Sequence, residues 1–156
     1  MGAPNSCICV LGWYFDNRAM YASLAKTDKA ELFIISHRPE RVVPDWLKKL
    51  VDKDHIFYEP NIGYDWGGYQ QFLEKGIWEE FDYIFFMHDD ISIKDYTFFE
   101  ECHRLLDTFC VVGNGRLEES PIKPKKNPQR YAHMKIIPRP DEDHYGVRGS
   151  FFATKY

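Results

Sequence analysis

No run of 18 consecutive apolar residues occurs in the 156-residue chain, so no membrane-spanning helix is expected. The first residues lack the charged, apolar and small-residue succession of a secretory leader. Cysteine is sparse: Cys7, Cys9, Cys102 and Cys110, with no C-x-x-C pair. That argues against a zinc site and for free thiols in a reducing compartment. The expectation is a soluble, cytoplasmic protein with no transmembrane segment, meeting a membrane only through a partner. Positive charge is also short. Twenty Lys and Arg face 24 Asp and Glu, for a net charge of −4, which disfavours a nucleic-acid partner. The local exception is Lys123, Lys125, Lys126 and Arg130, interrupted by Pro121, Pro124 and Pro128. It reads as a solvated loop first and a phosphate or membrane-surface contact second. There is no G-x-G-x-x-G and no Walker loop with its Gly-Lys-Ser/Thr, no internal repeat and no low-complexity tract.

What is present is a chain of single-domain length, 44% hydrophobic and 17% aromatic. Such aromatics mostly fill cores but also line sugar and base pockets. Strand and helix patterns alternate: a strand over 6–11, a helix over 18–26, a strand over 31–36 and a short helix over 44–51 opened by Pro44. A strand over 55–58, a turn over 60–63, a helix over 66–78 and a strand over 82–87 follow. A helix over 96–107 and a strand over 109–113 come next. Strands separated by helices predict a mostly parallel sheet. Residues 117–140 read as a long proline-rich loop or a partly extended excursion, and 145–154 as a final strand.

The stretch richest in chemistry is Tyr83-Ile84-Phe85-Phe86-Met87-His88-Asp89-Asp90. Adjacent carboxylates at the end of a buried strand are costly unless a cation or solvent meets them, and that end of an open α/β sheet is where ligands bind. A hard divalent ion held by phosphate oxygens suits the place; an exposed acidic strand end is the other reading. Strand alternation puts His88 and Asp90 on one face and Asp89 on the other. Further polar strand ends should converge there. Gly12-Trp13-Tyr14-Phe15-Asp16 can cradle a nucleoside, or serve only as helix-entry packing. In Ser36-His37-Arg38, His37 can contact a base and Arg38 a phosphate, or both can sit on a solvated loop. In Asn61-Ile62-Gly63-Tyr64-Asp65-Trp66-Gly67-Gly68-Tyr69 the glycines permit close backbone approach, and Asp65 can cap the next helix or meet a ligand. Asp141, Glu142, Asp143 and His144 are either a charged turn or a source of a base or metal ligand.

These residues resemble the nucleotide-sugar-binding half of GT-A glycosyltransferases of the family 2 type. There an N-x-G element follows strand three and an acidic metal motif, usually D-x-D, ends strand four; Asn61, Gly63 and His88-Asp89-Asp90 stand at those places. The longer pattern Asn61 to Tyr69, the early Trp13-Tyr14-Phe15-Asp16 and His88 are similar to the rhamnan-synthesis-F-like branch of polysaccharide-building enzymes. Val147-Arg148-Gly149-Ser150-Phe151-Phe152 looks like the acceptor-side strand. The resemblance covers residues 6–93 and, loosely, 109–156. It departs in having H-D-D for D-x-D and in ending soon after the last strand.

The resemblance implies a three-layer α/β/α sandwich of GT-A type with a mixed, mainly parallel sheet, forming one domain over 1–156. Residues 6–93 would be the nucleotide-sugar half and 109–156 a shortened acceptor half. The implied activity is metal-assisted transfer of a sugar from a nucleoside-diphosphate sugar to a saccharide or other hydroxyl acceptor. Asp90 and His88 would hold Mg²⁺ or Mn²⁺. Gly12, Tyr14, Asp16, His37, Asn61, Gly63, Asp65 and Asp89 would surround the nucleotide sugar. Asp143 would be the base, and a partner domain is a possible source of missing elements. The alternatives are a non-catalytic nucleotide-sugar-binding module and a metal-dependent nucleotidyltransferase.

Overall fold

The computed structural model describes residues 5–91, 93–113, 116–118, 144–146 and 151–156. Its elements are β1 (Ser6–Gly12), α1 (Arg18–Leu24), β2 (Glu31–Ser36), α2 (Asp45–Lys48), β3 (Ile56–Tyr58), α3 (Tyr64–Leu73) and β4 (Tyr83–His88). They continue with α4 (Phe98–Leu106), β5 (Val111–Gly113), β6 (Arg116–Glu118), β7 (His144–Gly146) and β8 (Phe151–Lys155).

Six strands form one sheet in the order β3-β2-β1-β4-β8-β5. β1 pairs in parallel with both β2 and β4, and β3 in parallel with β2. β8 runs antiparallel to β4 and to β5. Every residue of β1 is buried, because helices cover both faces of the sheet. Ile8 and Val10 point into a cluster with Tyr21 and Leu24 of α1, Leu47 of α2 and Phe99 of α4. Cys7, Cys9 and Leu11 point the other way, against Tyr69 and Phe72 of α3. A strand covered on both faces reads as a continuous apolar run rather than an alternating one, as Cys7 to Leu11 does. The result is the three-layer, mainly parallel arrangement that the resemblance implies.

Several boundaries differ from the sequence reading. α3 begins at Tyr64 and stops at Leu73, and a separate 3-10 turn spans Ile77–Glu80. Gly76, at φ 73°, ends the helical path between them. Helix 44–51 shrinks to four residues. The single strand expected over 145–154 is two: 145–146 belong to β7, which pairs with β6 in a separate ribbon, and 151–154 belong to β8. Leu117 and Glu118, expected in a loop or a partly extended excursion, lie in the short strand β6.

β1 passes to β2 on one side, while β4 joins it from the other. Between β1 and β4 is therefore the switch in strand direction of progression, the place where open α/β sheets bind ligands at their carboxyl ends. Hydrogen bonds continue the sheet past those ends, from His37 N–H to Gly12 O (3.2 Å), Asp89 N–H to Leu11 O (3.2 Å) and Glu59 N–H to Ser36 O (3.0 Å). The four loops leaving β1 to β4 are thus held side by side.

Candidate functional site

A cavity of about 300 Å³ opens at this switch point, lined by Leu11, Gly12, Trp13, Tyr14, His37, Asn61, Tyr64, Asp65, His88, Asp89 and Asp90. Tyr14, Asp16, Asn17, Asp89 and Asp90 line an adjoining open cavity. The structure thus brings eight of the sequence candidates to the first cavity: Gly12, Tyr14, His37, Asn61, Asp65, His88, Asp89 and Asp90. Asp16 reaches the second, and Gly63 supplies backbone geometry at the start of α3. Asp143 and residues 147–150 lie outside the described residues.

Asp89 is almost entirely buried. One of its carboxylate oxygens, Oδ2, accepts three successive backbone amides of the β1–α1 loop: Trp13 at 2.9 Å, Tyr14 at 2.8 Å and Phe15 at 2.7 Å. Amides converging in this way form an anion-binding nest, here filled by the protein's own carboxylate. Burial pushes the Asp89 carboxyl above the ordinary range; the three amides pull it back, and the neighbouring Asp90 pushes it further up. Phe15 sits at φ 54°, uncommon for a bulky residue. Its ring underlies Gly12, where any Cβ would collide with it. Gly12 is therefore required by packing as well as by position. Beneath the loop Tyr21 is fully buried, and its hydroxyl lies in the field of Asp89 without an ordinary hydrogen bond. Burial first, then that charge, drives the Tyr21 phenol up.

His88 and Asp90 do share a side, opposite to Asp89. His88 Nδ1 stands 3.8 Å from Asp90 Oδ1, and its Nε2 stands 3.4 Å from Asp65 Oδ1. Both carboxylates are about half exposed while His88 is mostly covered. Nε2 is buried and makes no hydrogen bond, to Asp65 or to any other described group. Asp65 is not the helix cap considered above. Gly63, at φ 80°, holds the cap position without a side-chain bond, and Asp65 lies in the first turn. Its carboxylate faces His88 instead of the helix amides.

His37, buried beneath α3, has its Nε2 2.8 Å from Gln71 Oε1. The Gln71 amide nitrogen donates to Pro60 O at 2.9 Å. Gln71 therefore offers His37 an acceptor, and the proton is assigned to Nε2. This leaves Nδ1 as the ring nitrogen not engaged by Gln71. Gly67 and Gly68 make the arrangement possible. A Cβ on Gly68 would stand 2.5 Å from Leu11 Cδ1 and 2.9 Å from His37 Cε1, and one on Gly67 would overlap the Ile62 carbonyl. Arg38, for which a phosphate contact and a solvated loop were both open, pairs with Glu40 at 3.9 Å and does not line either cavity.

The sequence reading included Trp13 and Tyr64 only as members of the stretches Gly12–Asp16 and Asn61–Tyr69, and passed over Gln71 as the partner of His37. Tyr64 was visible inside the Asn61–Tyr69 pattern. A glutamine in mid-helix carries no spacing signal, and only the fold brings it to His37.

Among the described residues lining the two cavities there is no Lys or Arg. Nor do three or more His, Cys, Asp or Glu side chains among the described residues converge as a ready metal cage. The chemistry of the donors is sparse but definite. Asp90 is a half-exposed carboxylate shared by both cavities. Mg²⁺ is commonly held by one or two carboxylates, with substrate phosphates and waters completing the shell, and Asp90 meets that need. His88, with a carboxylate beside each ring nitrogen, is better placed to orient Asp90 than to share an ion with it.

No helix among the described residues is long and apolar enough to cross a membrane. No family model matches the chain, and no curated protein matches it. Among solved structures, the chain is similar to a protein from Desulfovibrio desulfuricans G20 provisionally named a nucleotide-diphospho-sugar transferase. The two are 18% identical, with a TM-score of 0.47, over 68% of this chain and 56% of that one. The chain thus spans little more than half the length of that relative.

Proposed function

We propose that the protein is a glycosyltransferase that takes a nucleoside-diphosphate sugar as donor and a hydroxyl-bearing saccharide as acceptor, with Mg²⁺ or Mn²⁺. The observation that carries this reading is the meeting of the β1, β2, β3 and β4 ends on one cavity with Asp90 and no described cationic side chain. A diphosphate cannot sit beside Asp65 and Asp90 unless positive charge accompanies it. A divalent ion on Asp90 would supply that charge and stabilise the departing nucleoside diphosphate.

The chain's own residues then divide the work. Asp89 holds the β1–α1 loop in shape, so that Trp13 and Tyr14 present their side chains to the nucleoside. His37, fixed by Gln71, offers Nδ1 to a donor group on the base or ribose. Gly63 and the α3 start bring Asn61 and Asp65 beside the phosphates and sugar, and His88 steadies Asp65 and Asp90. In the transfer, the acceptor oxygen bonds to the anomeric carbon as that carbon's bond to the diphosphate breaks, and the acceptor proton passes to a carboxylate. Asp143 is the candidate for that base.

Incubation with radiolabelled UDP-, GDP- and dTDP-sugars and Mn²⁺, with separation of free sugar, transferred sugar and nucleotide, tests the reading. Sugar transfer or slow donor hydrolysis is expected. Tight binding with neither product would mark a non-catalytic binding module. Pyrophosphate release from a nucleoside triphosphate would mark a nucleotidyltransferase. No binding and no product would end the reading.

A further inference from the structure

A cavity of different character opens at the carboxyl end of β4, on the face of the sheet opposite α3. Its volume is about 400 Å³, within the size range of small-molecule sites. Met87 of β4, Phe98 of α4 and Phe151 of β8 line it, with Ile91 and Ile93 from the β4–α4 loop. It shares no lining residue with the two cavities described above. Met87, fully buried, forms its floor. Met87 and Phe151 are register partners on β4 and β8, so their side chains rise from the same face.

The walls are anchored in the core. Phe98 lies 4.1 Å from the buried Phe99 at 32°, and Phe151 lies 6.5 Å from the buried Phe85 at 33°. The Phe98 and Phe151 rings meet at 78°, with centroids 5.7 Å apart. Ile91, Ile93, Phe98 and Phe151 pack against the core yet remain only partly buried. Apolar surface held open in a rigid concave setting commonly meets a ligand.

The rim narrows the occupant. Its polar residues are Lys94 and Asp95. Asp95 is already engaged, since its Oδ1 accepts the Thr97 amide at 2.9 Å ahead of α4. Lys94 is exposed and has no ion-pair partner among the described residues. One uncommitted cation thus stands over an apolar interior. No other polar side chain lines the cavity, so a sugar or base placed inside would exchange its hydrogen bonds to water for few or none. A hydrocarbon chain has none to lose, and an anionic head at its end would meet Lys94.

We propose that this cavity binds the hydrocarbon chain of an amphiphile whose anionic head pairs with Lys94. The site goes beyond the transferase reading and does not depend on it.

The test titrates the full chain, without divalent metal, with hexyl, octyl and decyl phosphate below their micelle concentrations. Octanol serves as the chain without the charge, and methyl phosphate as the charge without the chain. Binding is read from the ¹³C-methyl NMR signals of Met87 and of Met20, which does not line the cavity. The Met87 signal should shift and the Met20 signal should not. Affinity should rise at least about fourfold from hexyl to octyl phosphate, and methyl phosphate should leave both signals in place. Octanol should bind about threefold more weakly than octyl phosphate, and Lys94→Ala should remove that difference. Ile93→Trp, which fills the cavity rather than emptying it, should weaken octyl phosphate at least about tenfold.

No binding at millimolar octyl phosphate, no gain from hexyl to octyl, equal shifts of Met20 and Met87, or an undiminished preference for the phosphate in Lys94→Ala would overturn the proposal. So would dimerisation of the unliganded protein that Ile93→Trp abolishes, which would assign the cavity to a second copy of the chain. UDP and GDP titrations with Mn²⁺ are run on the same proteins. Nucleotide binding without alkyl phosphate binding sinks this site alone; alkyl phosphate binding without nucleotide binding sinks the transferase reading alone.

Discussion

The Phe15 amide donates to Asp89 Oδ2 across 2.7 Å, joining two residues 74 positions apart in sequence. Phe15 is in the left-handed region at φ 54°, a conformation costing an L-residue about 1–2 kcal/mol. The hydrogen bond and the burial of its ring offset that cost. Asp89 → Ala should strand three amides, two of them in a partly covered loop, at about 1–3 kcal/mol for each that stays dry. We expect a loss of about 2–4 kcal/mol in urea unfolding and a changed Trp13 environment in fluorescence. Unchanged stability would show that the amides find water at no cost.

The same carboxyl gives a pH signature of defined sign. Its folded-state pKa is raised, chiefly by burial, above the unfolded value of about 3.9. Between the two values the folded state binds more protons than the unfolded, so stability falls as pH rises through that window. Below it, the contribution is fully present. Asp89→Asn keeps an acceptor for the amides and cannot titrate. The stability of the natural protein relative to Asp89→Asn should therefore decline from about pH 4 upward and then level. A flat or rising difference would contradict the account of Asp89.

Gly67 and Gly68 should tolerate alanine unequally. At Gly67 the new Cβ would meet the Ile62 carbonyl, which belongs to backbone and cannot rotate away. At Gly68 it would meet Leu11 Cδ1 and His37 Cε1, side-chain atoms able to shift. Gly67→Ala should cost about 3 kcal/mol or more. Gly68→Ala should cost about 1–3 kcal/mol and weaken nucleotide binding by displacing His37 from Gln71. Denaturant unfolding and nucleotide titration of both variants check this; equal tolerance would refute the close approach of α3 to its preceding turn.

Much of this site was legible before folding was considered, for a physical reason. A strand buried on both faces must be apolar, so polar residues mark its end sharply. Met87-His88-Asp89-Asp90 and Ile35-Ser36-His37 show that boundary, and a parallel sheet gathers such ends on one edge. The opposite orientations of Asp89 and Asp90 followed from strand alternation. What Asp89 does with its orientation did not, because its partners are backbone amides of a distant loop and amides carry no sequence label. Of the two roles open to Asp65, helix cap or ligand contact, the cap falls away, although a short polar side chain is favoured there. The left-handed Gly63 took the cap position and left Asp65 to His88. The antiparallel entry of β8 beside β4 also left no trace in local pattern, since Phe151 to Lys155 would read alike in either direction.

Asp90 bears most of the functional claim, and one measurement addresses it directly. Calorimetric titration of UDP-, GDP- and dTDP-sugars into the natural protein and Asp90→Ala, with and without Mn²⁺, separates metal-bridged binding from any other kind. Asp90 is half exposed and its loss should leave the fold intact. The account predicts that one donor binds with Mn²⁺, and at least about tenfold more weakly when either the ion or the Asp90 carboxylate is removed. Absence of donor binding, or equal affinity in Asp90→Ala with Mn²⁺ present, would contradict it.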